Sequence, residues 1–329
     1  MQQNAKLYIV IPCYNEEAVL PETAKRLETL LFAMIEKGSI SKDSRIVFVD
    51  DGSTDRTWKI IAEWTCKNPL FQGIKLARNT GHQNALLAGL MCVYAYCDCC
   101  ISVDADLQDD IEKIPEFLKQ FYEGCDVVYG VRSKRETDSW FKRFTAHVFY
   151  KLMKLLGADV VKDHADYRLM SRRAIEALAQ FPEVNLFLRG MVRLVGFRTG
   201  IVYYERTERF AGKSKYPLKK MLSFAFDGIT SFSIKPIRLV WSLGIFVCIL
   251  AVAAAVYTLC AWAFGASVSG WSSLMISIWF LGGVQLVSVG VIGEYIGKIY
   301  KEVKHRPRYI IEENTLDNKK SDDFTEKIR

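Results

Sequence analysis

Ser102-Val103-Asp104-Ala105-Asp106-Leu107-Gln108 is the stretch whose reading decides the fold. An apolar run from Cys99 to Val103 leads straight into two carboxylates one residue apart. The run is short and bounded by polar residues, the pattern of a buried strand in a parallel sheet. In such sheets ligands bind beyond the carboxyl ends of the strands, which is where Asp104 and Asp106 would lie. Two neighbouring anions repel each other unless a cation lies between them. Few hard oxygen donors suit Mg²⁺ or Mn²⁺, which keep waters and bind substrate phosphates. Alone, an Asp-x-Asp is more often a solvated acidic turn, so its surroundings must decide.

Those surroundings alternate strands with helices. Lys6–Pro12 reads as a first strand, followed by the turn Cys13-Tyr14-Asn15-Glu16-Glu17 and a helix to about Lys37. Arg45–Val49 is a second strand, ending in Asp50-Asp51-Gly52-Ser53-Thr54-Asp55, with Asp55 as the expected N-cap of a helix through about Cys66. Phe71–Leu76, Cys99–Val103 and Asp126–Tyr129 are further strands, and Gly81–Val93 and Ile111–Tyr122 further helices. The predicted class is α/β, with a Rossmann-like, mostly parallel sheet built from right-handed βαβ units. Successive loops at one sheet edge converge, so Glu16, Asp51, Asp104 and Asp106 are expected to share a crevice. No G-x-G-x-x-G follows the first strand, which argues against a dinucleotide-dependent dehydrogenase. Gly212-Lys213-Ser214 resembles the end of a P-loop, but Thr207 stands where the upstream Gly is required.

From Leu239 to Gly293 the chain carries no charged residue. Helices here could cross a ~30 Å hydrocarbon core twice, with the turn at Gly265-Ala266-Ser267-Val268-Ser269-Gly270. Two membrane helices are therefore expected near Leu239–Ala263 and Trp271–Gly293. Lys213, Lys215, Lys219, Lys220, Lys235 and Arg238 precede the first, and Lys298, Lys301, Lys304, Arg306 and Arg308 follow the second. The positive-inside rule then puts both termini in the cytoplasm of a multi-pass inner (plasma) membrane protein. The net charge of +7 belongs mainly to this membrane surface, and no nucleic-acid partner is expected. Trp140–Lys154 and Pro217–Phe232 mix cations with bulky apolar side chains and are expected to lie in the headgroup layer. Met1–Lys6 is polar and Leu7–Cys13 too short for a signal core, so no secretory signal is expected. The nine cysteines lack paired zinc spacing and read as buried free thiols of a reducing compartment. The expected organisation is a cytoplasmic catalytic domain over 1–235, a membrane hairpin over 236–297, and a basic tail over 298–329, loosely ordered beyond Tyr309.

Seven motifs in order, followed by the paired spans, carry a resemblance. They are Ile11-Pro12-Cys13-Tyr14-Asn15-Glu16-Glu17, Val49-Asp50-Asp51-Gly52-Ser53-Thr54-Asp55, Asp104-Ala105-Asp106-Leu107-Gln108, Tyr129-Gly130-Val131-Arg132, Asp166-Tyr167-Arg168-Leu169, Ala211-Gly212-Lys213-Ser214-Lys215-Tyr216 and Gly293-Glu294-Tyr295-Ile296-Gly297. From about Leu7 to Tyr309 the chain resembles a family 2 glycosyltransferase of the GT-A fold, in the polyprenyl-phosphate branch. That branch holds the bactoprenol glucosyltransferases and, more distantly, dolichol-phosphate mannose synthase.

The resemblance implies inverting transfer of a sugar, a hexose such as glucose on UDP, to undecaprenyl or another polyprenyl phosphate. It implies that Pro12, Tyr14, Glu16, Asp51, Asp104 and Arg132 serve the nucleotide-sugar donor. Asp104, Asp106 and Gln108 would hold Mg²⁺ or Mn²⁺. Arg143, Arg168, Lys213 and Lys215 would meet phosphate charge, Arg by its planar fork and Lys as a point cation. Asp104, Asp106 and Asp166 are the implied catalytic residues, with Asp166 an orienting carboxylate first and a proton acceptor second. An Asp166–Arg168 structural pair stays open, as does homo-oligomerisation. Asp109, Asp110 and Ile111 replace the family's prolines, and Ala165 stands where Gly is common. Arg78-Asn79-Thr80-Gly81-His82-Gln83-Asn84 keeps that loop's Arg-Asn and Gly but differs elsewhere, which leaves the sugar open. A polysaccharide-extending synthase is the alternative, but no Trp here is preceded by Arg and two spans are few for a polymer tunnel. A non-catalytic membrane adaptor is disfavoured by the intact Asp104, Asp106 and Gln108.

Overall fold

The computed structural model describes residues 4–132, 164–184, 188–205, 235–263 and 270–317. They fall into two compact units, one holding the α/β sheet together with the chain from Arg306 onward, the other holding the apolar helices.

The first unit is an eight-stranded sheet. Its strands are β1 (Leu7–Cys13), β2 (Arg45–Asp50), β3 (Phe71–Leu76), β4 (Cys99–Ser102), β5 (Val127–Arg132), β6 (His164–Ser171), β7 (Thr199–Tyr204) and β8 (Ile311–Asn314). They lie in the order β7-β5-β6-β4-β1-β2-β3-β8. β1 pairs parallel with β2 and β4, β2 with β3, and β5 with β7, while β6 and β8 run antiparallel to their neighbours. The sequence explains the centre: every residue of Leu-Tyr-Ile-Val-Ile-Pro-Cys in β1 is buried, as a strand covered on both faces requires.

The helices that cover the first half of the sheet are α1 (Leu20–Glu36), α2 (Thr57–Lys67) and α3 (His82–Val93). α1 buries Leu20, Ala24, Leu27, Leu31 and Met34, a helical stripe, against the core around Leu7, Ile9 and Ile11. α3 is apolar nearly all round and lies very close to the strands. A Cβ at Gly89 would come within 2.5 Å of Val10 and 2.8 Å of Val49, so only glycine permits this approach. The seating fixes the N-terminus of α3, and hence His82, at the sheet edge where β1 and β4 end. Asp55 does not cap α2: the cap position is Arg56, and the Asp55 carboxylate accepts the Thr57 amide in a local turn just before it.

Beyond β4, a single 3₁₀ turn at Ile111–Lys113 opens α4 (Ile114–Tyr122). α5 (Arg172–Ala179) and α6 (Leu188–Leu194) follow β6. An aromatic column runs from Phe117 to Tyr167 at 4.6 Å and from Tyr167 to Tyr204 at 5.3 Å between ring centres. It carries the Tyr204 hydroxyl to the loop that follows Gln108.

Of the stretch beyond Tyr309, expected to be loosely ordered, Ile311–Asn314 instead form β8 and pair with β3, while 318–329 lie outside the described residues. Cys13, Cys97, Cys99 and Cys100 are buried thiols that burial pushes above their ordinary range, but Cys66 and Cys260 are exposed. The second unit's described helices are α7 (Lys235–Ala263) and α8 (Trp271–Val303), each extending beyond the expected span at its charged end. Windows at Lys235–Ala254 and Phe280–Val303 are long and apolar enough to cross a membrane. Leu239, Trp241, Phe246, Leu250, Phe280 and Leu286 on them are exposed.

Candidate active site

Three loops at the carboxyl ends of parallel strands build the site. After β1, Asn15 adopts a left-handed conformation (φ 55°), and its side-chain oxygen accepts the Thr54 amide at 2.8 Å. The Glu16 amide donates to Thr57 at 2.9 Å, tying this loop to the one after β2. Pro12 is buried at the end of β1, Tyr14 is exposed and Glu16 is half-buried. After β2, Asp51 is buried and accepts three hydrogen bonds: from the Thr80 amide at 2.7 Å, the Thr80 hydroxyl at 3.0 Å and the Gly81 amide at 2.9 Å. Gly52 has φ 65°, and a Cβ there would lie 2.6 Å from the backbone of Arg78 and Asn79. The Asp51-Gly52 pair thus fixes the Arg78–Gly81 loop. A carboxylate has about four acceptor sites, so Asp51 keeps capacity for one further donor.

After β4 come the two carboxylates. Leu107 between Asp106 and Gln108 has φ 55°, a strained conformation for a residue with a Cβ, of the kind that concentrates at functional sites. The Asp106 carboxylate accepts the Gln108 amide at 3.2 Å, which closes this turn. Asp104 lies 3.6 Å from His82 Nε2. Burial raises the Asp104 pKa, as do the charges of Asp166 and Asp106, against the opposing pull of His82 and Arg132. An ionised Asp104 therefore calls for positive charge. Among the described residues no three His, Cys, Asp or Glu side chains gather as a metal cage. Two carboxylates and an amide are a donor set for a hard cation that completes its shell with water and diphosphate oxygens.

β6 brings in the opposite wall. Asp166 accepts from Arg168 Nη2 at 2.6 Å, and from Arg189 through Nε at 3.2 Å and Nη2 at 3.1 Å. His82 Nε2 is 3.6 Å from Asp166 Oδ2, the oxygen that also accepts from Arg189 Nη2, and the Ser102 hydroxyl donates to the Asp166 backbone carbonyl. Burial alone would raise the Asp166 pKa, but His82, Arg189 and Arg168 together hold it well below the carboxylate range. The His82 imidazole is held above its ordinary value: desolvation opposes this, and Asp166 and Asp104 outweigh it.

Arg168, expected among the phosphate-binding cations, is only 2% exposed and pairs with Asp166. It is the structural pair left open above, since a guanidinium enclosed on β6 cannot meet an incoming phosphate. Arg132 donates to the Tyr204 hydroxyl at 3.3 Å and lies 3.6 Å from Asp109. Tyr204 in turn donates to Asp109 at 2.5 Å. Burial, with the neighbouring charge of Asp104, pushes the Asp109 pKa up to about 6. Arg143, Lys213 and Lys215 lie outside the described residues.

Four participants escaped the sequence reading: His82, Arg189, Asp109 and Tyr204. The loop containing His82 stood out for its departures, and Asp109 for replacing a proline. Arg189 and Tyr204 gave no signal, because each reaches the site through contacts made across many residues of chain.

A model of "Glycosyl transferase family 2" matches residues 8–179, and one of the "GtrB C-terminal hairpin" matches 235–299. The chain is 53% identical to an uncharacterized glycosyltransferase of Bacillus subtilis, over 94% of this chain and 92% of that one. It is 41% identical to a prophage-derived bactoprenol glucosyl transferase of Shigella flexneri, over 95% of this chain and 99% of that one. Among solved structures, glucosyl-3-phosphoglycerate synthase of Mycobacterium tuberculosis, in complex with Mn²⁺, UDP-glucose and phosphoglyceric acid, matches at TM-score 0.47 and 17% identity. That match covers 69% of this chain and 78% of that one. With a family model spanning residues 8–179 of 329 and relatives this similar along nearly the whole length, the chain belongs to glycosyl transferase family 2 and is a glycosyltransferase of the GT-A fold.

Proposed function

We propose that the protein transfers a hexose such as glucose from a UDP-linked nucleotide sugar to a polyprenyl phosphate at the cytoplasmic membrane face. The observation that carries this is one chain joining the Asp104–Asp106–Asp166 crevice to a hairpin of the GtrB type. Bactoprenol glucosyl transferases 41% identical over nearly the whole chain support the lipid phosphate as acceptor. In this reading residues 1–235 act in the cytoplasm and 236–297 form the membrane hairpin. From 298 the chain leaves the membrane and returns to the sheet through β8.

Pro12, Tyr14, Glu16 and Asp51 line the nucleoside end, and Asp104, Asp106 and Gln108 are the residues that would hold Mg²⁺ or Mn²⁺. The cation would neutralise charge on the leaving diphosphate. An acceptor phosphate oxygen bonds to the anomeric carbon as the bond from that carbon to the diphosphate breaks. The nucleoside diphosphate leaves with the bonding pair, and configuration inverts. A phosphate monoester with a second pKa of ~6 is mostly dianionic at neutral pH and needs no base. That agrees with Asp166, whose arginine partners make it a poor proton acceptor. Arg132, anchored by Tyr204 and Asp109, is a fixed cation at the same edge. Incubating the purified protein with undecaprenyl phosphate and a panel of sugar nucleotides should give one lipid-linked monosaccharide, identified by mass. Extension of a free oligosaccharide with the lipid phosphate ignored would replace this reading by polymer synthesis.

The reading includes a topology, which connectivity supports. β7 before the hairpin and β8 after it belong to one sheet, so a hairpin that crosses twice leaves both on the same side. Lys and Arg flank both outer helix ends and are absent from the turn, which by the positive-inside rule favours a cytoplasmic side in this reading. A single cysteine at Ser269, in a background without reactive thiols, should be labelled from outside intact cells. Labelling at Ser321 instead would reverse the orientation.

A further inference from the structure

The imidazole of His82 reaches both walls of the crevice. Its Nε2 lies 3.6 Å from Asp104 Oδ1, after β4, and 3.6 Å from Asp166 Oδ2, on β6. Among the described residues His82 is the side chain that contacts both carboxylates. Its place is built into the backbone. The Asp51 carboxylate accepts the Thr80 and Gly81 amides, Gly81 enters α3 at φ 91°, and the Asn84 side chain donates to the Thr80 carbonyl at 2.8 Å. Gln83 accepts the Leu188 amide at 2.9 Å, which ties the same turn to α6. None of these bonds uses the imidazole, so the turn stands without it. The ring is also open to a ligand: 44% of the His82 side chain is exposed, against 10% for Asp166 and 2% for Arg168.

We infer that His82 binds a hydroxyl of the transferred hexose and sets which sugar the protein accepts. That role rests on the hexose transfer proposed above, in which the donor's diphosphate lies at Asp104 and Asp106 and its sugar occupies the space before Asp166. Facing two carboxylates, Nε2 is the nitrogen that carries hydrogen, since a lone pair there would be repelled. Both 3.6 Å separations are too long for a hydrogen bond. Polar groups at such a spacing are joined by something that accepts from one and donates to the other. A hydroxyl does both: its oxygen accepts from Nε2 and its hydrogen goes to a carboxylate oxygen. Asp104 is committed to the cation in this reading, so Asp166 is the acceptor, held in place by Arg168 and Arg189. A diphosphate oxygen has no hydrogen to give and would be repelled by Asp166. A site that pairs with a substrate hydroxyl rejects analogues lacking it, because its own polar groups are then left unpaired.

The test is donor binding to the full-length protein by calorimetry with Mn²⁺, which needs no acceptor. The probes are UDP, the UDP-sugar of a hexose panel that binds tightest, and analogues of that donor each lacking one sugar hydroxyl. In the parent one deoxy analogue should bind at least about tenfold more weakly than the donor. His82→Ala should bind the donor about tenfold more weakly, bind that analogue as the parent does, and bind UDP within about twofold of the parent. His82→Asn, which keeps a side-chain N–H, should fall between. A parent indifferent to every deoxy analogue overturns the inference, as does a deoxy penalty of the same size in His82→Ala. So does a loss of UDP affinity equal to the loss of donor affinity, which would assign His82 to the diphosphate. If no UDP-sugar binds the parent, the functional reading fails and the role of His82 with it. Donors that bind normally but are not transferred to undecaprenyl phosphate would refute the acceptor, while the deoxy comparison still decides on His82. Should His82→Ala not fold, His82→Asn decides by the same comparison.

Discussion

Asp106→Asn should lower turnover by a factor of at least about 10²–10³ while leaving the fold intact. The structural side of this expectation comes from the hydrogen bonding. Asp106 is half-buried in the turn after β4, where its Oδ1 accepts the Gln108 amide at 3.2 Å, a bond that an Asn carbonyl oxygen can also accept. The left-handed Leu107 should therefore stay in place. What disappears is one of the two negative charges that would hold the proposed cation. Asp104 alone, its pKa already raised by burial, is a poor substitute, so metal affinity and stabilisation of the leaving diphosphate should fall together. Turnover against added Mn²⁺ or Mg²⁺, with circular dichroism to confirm the fold, measures both. Full activity of the variant, or of the parent in chelator, would remove the metal-diphosphate mechanism.

The features that made this site legible in the sequence are local. An apolar run ending in Asp-x-Asp needs no partner to be recognised, and neither does an Asp-Asp-Gly turn after a strand. The loops containing Glu16, Asp51 and Asp104 all follow parallel strands, so their shared edge follows from topology once βαβ order is granted. The second wall obeyed no such rule. β6 runs antiparallel and buries Asp166 and Arg168 on a strand with no continuous apolar run, so charge pairing replaces the usual hydrophobic pattern. Arg189 meets Asp166 across 23 residues and Tyr204 meets Asp109 across 95, separations at which spacing in the chain carries no information. β8 was illegible for another reason. Ile-Glu-Glu-Asn is exposed at three of its four positions, and the backbone pairing that makes it a strand is supplied by β3.

Removing that strand should be costly. Truncation after His305 deletes β8 and leaves β3 as an open edge, with backbone groups unpaired and a surface suited to joining another chain. The losses are specific. The Ala77 amide loses the Ile310 carbonyl at 3.0 Å, and the Gly73 amide loses the Thr315 hydroxyl at 2.8 Å. That hydroxyl also donates to Gln72 at 2.9 Å, and Arg308 donates to the Phe181 carbonyl at 2.6 Å. At ~1 kcal/mol for each bond, together with the β3–β8 ladder itself, the sheet should lose roughly 3–5 kcal/mol. The pairs of Lys75 with Glu312 and Glu313 add little, being partly exposed. For a domain of this size the loss corresponds to a fall in Tm of about 10 °C, with aggregation on heating. Function should suffer by the same route. Ala77 adjoins the Arg78–Gly81 loop that Asp51 and Gly52 hold at the proposed donor site, so freeing β3 loosens that loop. The truncated protein should bind UDP several-fold more weakly. Thr315→Val, which removes only the cap on Gly73 and Gln72, should show a small part of the Tm loss with UDP binding retained. A truncated protein that melts and binds UDP as the full chain does would make β8 an ornament of the sheet edge, with no share in its stability.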